Sequence, residues 1–301
     1  MISFQYNVFF EVATNLSFSK AAELLYITQP AVSKHIKKLE AEIGVPLFER
    51  KGNSICLTGP GEKLLDHMYK AKNLERLIQS DMDIIKSRRE ARGELRVGAS
   101  TTISLYVLPK VFSAFHKRFP KIQLLLINRN SENILKALVN KEIDLAIIEG
   151  KYEVNSFQQA EFMEDEIIPV CSSRSPYAKS ELCIEELKAL PMIMRERGSG
   201  TLSVLANELE QNGIKLGDLK IIARLGGTEA LKNYLLEDEA IGFLSRLAIQ
   251  RELASNTLRE VKVEGLSVKR QFYFVMRKGE EEGSLIKSFK QIAAHQYNQD
   301  L

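Results

Sequence analysis

The chain has 301 residues, 45% of them hydrophobic and 27% charged, with 17 Gly and 8 Pro. That balance belongs to an ordinary globular protein and excludes collagen-like, disordered and disulfide-scaffold chains; the length suits about two domains. The formal net charge of +3 is too small to announce a nucleic-acid partner, so the placement of the charges, not their sum, must carry any such reading.

Three zones follow one another along the chain. Residues 1–58 alternate short helical patterns with turns, residues 59–91 form one longer helical pattern, and residues 92–301 alternate apolar runs with helical patterns, as a doubly wound α/β sheet does. In the first zone Ser17-Phe18-Ser19-Lys20-Ala21-Ala22-Glu23-Leu24-Leu25 begins with capping serines and continues with helix formers. Tyr26-Ile27-Thr28 breaks it. Thr28-Gln29-Pro30, a hydroxyl followed by proline in the first turn, starts a second helix that stops at Gly44. Its apolar residues Val32, Ile36, Leu39 and Ile43 make a stripe at spacings of four, three and four, which predicts a core-facing side.

The opposite side of that helix carries Gln29, Ser33, Lys34 and Lys37, with no acidic residue between Gln29 and Leu39. Two short helices in which the second projects amide and basic groups form a helix-turn-helix pattern, whose second helix fits the DNA major groove. Gln29, Ser33 and Lys34 would reach base edges and Lys37 a phosphate. A solvated face of a helical bundle has the same pattern.

Phe9-Phe10-Glu11-Val12-Ala13, Ser17 to Ala22, Thr28-Gln29-Pro30-Ala31-Val32-Ser33, Leu39-Glu40, Gly44-Val45-Pro46-Leu47-Phe48-Glu49-Arg50 and Leu57-Thr58 form a dense, collinear set. It resembles the signature of the LysR-type transcriptional regulators, more loosely over the rest of the chain. The resemblance implies an N-terminal all-α winged helix-turn-helix (1–58), a linker helix through which two copies pair (59–91), and a two-lobed, periplasmic-binding-protein-like effector domain (92–301). Lobe 1 would cover about 92–162 and 268–301, and lobe 2 about 163–267. It also implies that Gln29, Pro30, Ser33, Lys34 and Lys37 face DNA, and that Phe48 to Leu57 is the wing. The wing would turn at Lys51-Gly52-Asn53 and lay Arg50 and Lys51 along the backbone or minor groove. The partners it implies are double-stranded promoter DNA, a small anionic effector, RNA polymerase and further copies of the chain, as a homodimer or homotetramer.

From Thr58, a capping hydroxyl, a helix is expected over Gly59 to Arg89. Leu64, Met68, Ala71, Glu75, Ile78, Met82 and Ile85 step by four and three, broken only by Glu75. Such a seam suits a coiled-coil partner, or packs on its own domain. Lys86, Arg88, Arg89 and Arg92 close it with a basic hinge.

Beyond it, Leu95 to Ala99, Ile122 to Asn128, Leu145 to Ile148, Ile167 to Cys171, Met192 to Met194, Ile221 to Leu225, Ile241 to Leu244 and Gln271 to Met276 read as strands. Helices are expected over 103–118, 132–140, 201–212, 228–237 and 284–296. Open α/β sheets bind ligands beyond the carboxyl ends of strands, where helix N-termini offer amides. Ser100, Thr101 and Thr102 lie in one such loop. Ser199 and Thr201 lie in another, Arg195-Glu196-Arg197-Gly198-Ser199-Gly200-Thr201. Both suit a small carboxylate or inorganic oxyanion, and both suit plain N-capping. Thr228 joins the candidates, and Glu149 would border the cleft and select against excess negative charge. The runs Tyr106-Val107-Leu108-Pro109 and Gly198-Ser199-Gly200-Thr201 resemble most the regulators of sulfur assimilation or carbon fixation, which sense small anionic metabolites.

Nothing in the sequence makes a catalytic constellation. Gly93 to Ser100 misses a P-loop because Ala99 stands at the lysine position, and Ser199 is not in a Gly-x-Ser-x-Gly elbow. His35, His67, His116 and His295 and the three cysteines lack metal-ligand spacing. No apolar run of about 18–20 residues could cross a membrane, and the first residues lack a secretory signal. The expectation is a cytoplasmic regulator that is not an enzyme and has no metal, cofactor or membrane partner. Its alternatives are a solute-binding protein of the same two-lobed shape and an α/β enzyme with an incidental basic helix.

Overall fold

The computed structural model describes residues 2–51, 54–86, 91–150, 156–179, 181–280 and 282–297. The chain divides into two compact units, Met1–Met82 and Asp83–Leu301.

The first unit begins with helices α1 (Phe4–Asn15), α2 (Phe18–Leu24) and α3 (Gln29–Ile43). Ser17 caps α2 by accepting the Lys20 amide at 3.2 Å. Thr28 occupies the N-cap of α3 but makes no side-chain cap bond; the carbonyl of Thr28 takes the Ala31 and Val32 amides instead. Pro30 presets the first turn, and Gly44, at φ 82°, ends the helix in the left-handed region that a side chain would strain. Val32, Ile36 and Leu39 are buried with Phe9, Val12, Ala21 and Ala22. The two alanines let α2 approach α3 closely. Ile43 departs from the expected stripe: it is 39% exposed, because α3 ends there, beyond the reach of the core.

The hairpin β1 (Phe48–Lys51) and β2 (Ser54–Leu57) pairs antiparallel from Phe48↔Leu57 to Lys51↔Ser54. The expected turn residues Gly52 and Asn53 lie outside the described residues. Glu40 ties α3 to the hairpin, accepting the Leu47 amide at 2.8 Å and the Phe48 amide at 3.3 Å. Thr58 caps α4 (Gly59–Lys86) by accepting the Gly61 amide at 3.1 Å. Arg88 and Arg89 of the expected hinge lie outside the described residues. The seam of α4 is split. Met68 is buried in this unit's own core, whereas Ile78 and Met82 are 54% and 48% exposed, with Leu74, outside the expected seam, 49% exposed beside them. Glu75, which interrupts it, accepts the Ile2 amide at 2.7 Å.

The second unit is built on one nine-stranded sheet. In chain order its elements are β3 (Gly93–Ala99), a π-helical turn (Ile103–Val107), α5 (Leu108–Arg118), β4 (Ile122–Asn128), α6 (Ser131–Val139), β5 (Leu145–Glu149) and β6 (Phe157–Ser172). Then follow β7 (Glu181–Cys183), β8 (Met192–Arg195), α7 (Gly200–Gln211), β9 (Ile221–Leu225), α8 (Thr228–Glu237), β10 (Ile241–Ser245), α9 (Gln250–Ala254), β11 (Leu258–Glu260), β12 (Lys262–Glu264), β13 (Val268–Arg277) and α10 (Ser284–Gln296). The sheet order is β4-β3-β5-β13-β6-β10-β8-β9, with β11 also on β6 and a separate β12-β7 pair. β4, β3 and β5 run parallel, as do β10, β8 and β9. The antiparallel pair β6 and β13 joins these two halves.

Two strands and one helix differ from the sequence reading. The expected strand Ile167–Cys171 is the end of a 16-residue strand, and the expected Gln271–Met276 is part of a ten-residue one. Both crossing strands carry charged residues that hide their length. The expected helix 103–118 opens with the π-helical turn: Pro109 has no amide to give the Leu105 carbonyl, and the Leu108 amide bonds back to Ile103.

Candidate functional site

Each unit presents one set of candidates. In the first, Gln29, Pro30, Lys34 and Lys37 are exposed on α3 and Ser33 is half-buried. Gln29, Ser33 and Lys37 line a groove of about 220 Å³ between α3 and the β1–β2 hairpin, floored by Phe18, Ile36 and Phe48. His35 turns toward α1 and packs edge-on against Phe4 at 5.1 Å, so it supports the helix instead of joining that face. Arg50 and Lys51 are the last residues of β1. The arrangement leaves a basic, amide-bearing helix face open to a polyanion while its apolar residues stay in the core.

In the second unit the register of the crossing strands sets the site. It places Arg270 of β13 opposite Asp165 of β6. Along β13, Arg270 alternates in phase with Val268 and Phe272, so its side chain points to the buried face and is 0% exposed. An arginine in that position must have every N–H matched, since a buried unpaired charge is among the costliest groups a fold can hold. All three guanidinium nitrogens are engaged, through four hydrogen bonds and one further ion-pair contact. Nε and Nη2 meet Asp165 Oδ2 at 2.8 and 2.6 Å, and Nη1 meets Glu149 Oε1 at 3.2 Å and Thr201 Oγ1 at 2.8 Å. Nη2 also reaches Thr102 Oγ1 at 3.3 Å. The outer carboxylate oxygens are held in turn: Ser131 Oγ donates to Glu149 Oε2 at 2.9 Å and Ser245 Oγ to Asp165 Oδ1 at 3.0 Å.

The cluster joins the two halves of the sheet. Thr102 follows β3 and Glu149 ends β5, whereas Thr201 lies in the first turn of α7, beyond β8. Asn130 Nδ2 donates to the Arg197 carbonyl at 3.4 Å and the Glu132 amide to the Gly198 carbonyl at 3.4 Å, a second link between the two halves. On another side the Tyr106 hydroxyl, in the π-helical turn, donates to Glu229 of α8, which also takes Lys232 Nζ at 2.8 Å. Burial opposes ionisation of Glu229, but Lys232 and Tyr106 hold its carboxyl below the usual range. Burial, and then the bond to Glu229, push the Tyr106 hydroxyl far up.

The loop hydroxyls separate into three groups. Thr102 and Thr201 serve Arg270. Ser100 and Ser199 are 2% exposed, and their hydroxyl oxygens have no hydrogen-bond partner among the described residues. Ser199 holds the N-cap position of α7, but neither hydroxyl makes a cap bond, so the ordinary use of such side chains is absent at both serines. Thr101 is half-buried and outside the cluster, and Thr228 accepts from Arg195 Nη1 at 3.0 Å in a second buried pairing. There, burial works against the Glu196 carboxylate, yet Arg195 and the Gly227 amide keep it below its ordinary range. Arg270, Asp165, Ser131 and Ser245 were not among the sequence candidates. The available signal was the strand phase that aligns Arg270 with Val268 and Phe272, and Asp165 with Met163 and Ile167.

Comparison with known proteins agrees with both units. Residues 4–62 match the family described as bacterial regulatory helix-turn-helix protein, lysR family, and residues 88–298 match the LysR substrate binding domain. A probable RuBisCO transcriptional regulator of Phaeodactylum tricornutum is 33% identical over 263 residues, covering 86% of this chain and 85% of that protein. A full-length OxyR variant from Pseudomonas aeruginosa superposes with a TM-score of 0.71 at 19% identity, over 98% of this chain and 95% of the other. The regulatory domain of CcmR from Synechocystis PCC6803, solved in complex with 2-PG, gives a TM-score of 0.62 at 26% identity, over 69% of this chain and 99% of that domain. Among the described residues no helix is long and apolar enough to cross a membrane.

Proposed function

The chain belongs to the LysR family of DNA-binding transcriptional regulators, and on that premise we propose that a small anion held between the halves of its α/β unit controls its output. The observation that carries this reading is the pair of buried, unpartnered hydroxyls of Ser100 and Ser199. Each precedes a helical segment whose threonine, Thr102 or Thr201, already touches Arg270. Unsatisfied buried donors at converging helix N-termini are fittings for an oxyanion. The CcmR regulatory domain, solved in complex with 2-PG, supports a small effector in this unit.

In this reading α3 lies in the major groove with Gln29, Pro30, Ser33 and Lys34 at the bases and Lys37 at a phosphate. Arg50 and Lys51 of the hairpin follow the backbone. Phosphate contacts give salt-dependent affinity and base contacts give sequence preference. The exposed half of α4, with Leu74, Ile78 and Met82, pairs two copies, which in turn assemble as dimers or tetramers and meet RNA polymerase at the promoter. The anion acts only through different affinity for two states of the α/β unit. The protein works by binding, without turnover, in the cytoplasm. A solute-binding role without DNA loses its ground, because residues 4–62 carry the family's own helix-turn-helix.

Calorimetric titration of the full chain with inorganic phosphate and sulfate tests the proposal. Saturable binding is expected, lost in Thr102→Ala while promoter affinity in a gel shift at fixed salt stays unchanged. Binding that is indifferent to Thr102→Ala, or no binding to either anion, would overturn it.

A further inference from the structure

Glu149 is the feature that an anion site explains least well. It sits at the carboxyl end of the parallel strand β5, where a doubly wound sheet receives its ligand, and is 3% exposed. Its carboxylate is held by Arg270 at 3.2 Å and Ser131 at 2.9 Å. It also presses on the first residue of α7: a Cβ on Gly200 would lie 2.2 Å from Glu149 Cγ and 2.4 Å from Cδ. A guanidinium, a hydroxyl and a helix N-terminus are the surroundings in which proteins seat oxyanions. Here the guanidinium and the hydroxyl already hold one, supplied by the chain and packed against the first residue of α7.

The charge balance points the same way. One guanidinium faces two carboxylates, Glu149 and Asp165, so the buried cluster is already negative. A further anion beside it would be repelled by both at short range in a low-dielectric site. The two carboxylates are not held alike. Asp165 sits mid-strand, takes Arg270 through both Nε and Nη2, and has Ser245 on its other oxygen. Glu149 ends its strand and has a single, longer contact to the guanidinium.

Resting on the reading that an anion is the effector, we infer that Glu149 is a built-in competitor for it: the carboxylate occupies the anion seat, and a compact oxyanion binds only by taking its place on Arg270, Ser131 and the α7 N-terminus. Asp165 stays fixed and limits the charge the site accepts. With Glu149 displaced, the free hydroxyls of Ser100 and Ser199 join those donors, a set suited to a tetrahedral anion with several acceptor oxygens. Glu149 thereby sets specificity and threshold together, because every ligand is weighed against the same internal carboxylate.

The test compares wild type with Glu149→Gln in calorimetric titrations with sulfate and inorganic phosphate. The neutral isostere competes less, so Glu149→Gln is expected to bind at least tenfold more tightly. Equal or weaker binding by the variant, with wild type still binding, overturns the competitor role and leaves the anion reading intact. No binding by either chain overturns both. A second variant keeps the question open to refutation should Glu149→Gln misfold. Glu149→Ala empties the seat, and acetate, a free carboxylate, should raise its melting temperature while leaving wild type unmoved. An identical acetate response in the two chains overturns the inference.

Discussion

The two units handle buried and exposed charge in opposite ways. On α3, Lys34 and Lys37 stand in solvent while Val32, Ile36 and Leu39 hold the helix down. Charge and stability are separable there, since the residues that would meet DNA are not those that keep the fold. In the α/β unit the same side chain does both. Arg270 pins the crossing strands together, and its hydrogen bonds reach groups from both halves of the sheet. A face of the first kind is free to bind whatever passes. A cluster of the second kind responds only to something that replaces one of its own members.

The hardest blow to this contrast is Arg270→Met. It removes the cation and leaves Glu149 and Asp165 buried and facing each other, and breaking such a pair from one side costs about 3–5 kcal/mol. For a unit of this size that corresponds to a fall of roughly 6–20 °C in the melting temperature. The transition to follow by calorimetry is that of the α/β unit. A variant that melts with wild type would mean that the cluster is not the structural pin described here.

How much of this was legible in the sequence depends on distance along the chain. The helix-turn-helix is local: caps, a proline, a glycine stop and an apolar stripe lie within about thirty residues, and the structure repeats them except at Ile43 and Thr28. The cluster is not local, since Arg270 and Asp165 are 105 residues apart. Only the register of β6 against β13 joins them. Each is in phase with buried apolar neighbours, but each also makes its strand look polar. Gln158, Gln159, Glu161, Glu164 and Glu166 hide most of β6 in the same way. The loops carrying Ser100, Thr102, Ser199 and Thr201 could be found because strand-then-helix with hydroxyls is a short pattern. Which of these would be left unpartnered depends on where Arg270 falls, and that is a property of the fold.

Lys34→Ala probes the other side of the comparison. The side chain is exposed and off the apolar stripe, so the melting temperature should move by the equivalent of less than about 0.5 kcal/mol. Affinity for the chain's own promoter should fall by about 1–3 kcal/mol, with weaker discrimination against other sequences, as expected when a base-edge contact is lost. Lys37→Ala sharpens the distinction. It should weaken all duplexes alike and lower the salt slope by about one. Gel shifts over a salt series separate the two, and equal loss for promoter and random duplex in Lys34→Ala would place that lysine on the backbone.

The smallest effect is expected at Tyr106, where the halves of the α/β unit meet outside the cluster. Tyr106→Phe removes the bond to Glu229 but leaves Lys232 in place, and Glu229 is 45% exposed. The cost at neutral pH should therefore stay under about 1 kcal/mol. Its pH dependence carries the information. Glu229 is held below its ordinary value of 4.5, so its contribution is complete above that value and is lost as acid carries the pH down through the folded-state value. The Tyr106 hydroxyl and Lys232 are both raised above their ordinary values of 10.0 and 10.5, so their contributions are complete below those values and fade only in stronger base. Between these limits the stability gap between wild type and Tyr106→Phe should be flat, and it should close as Glu229 is protonated on the acid side. A gap unchanged by acidification, measured by denaturant unfolding across that window, would mean that the Tyr106 hydroxyl contributes independently of the charge on Glu229.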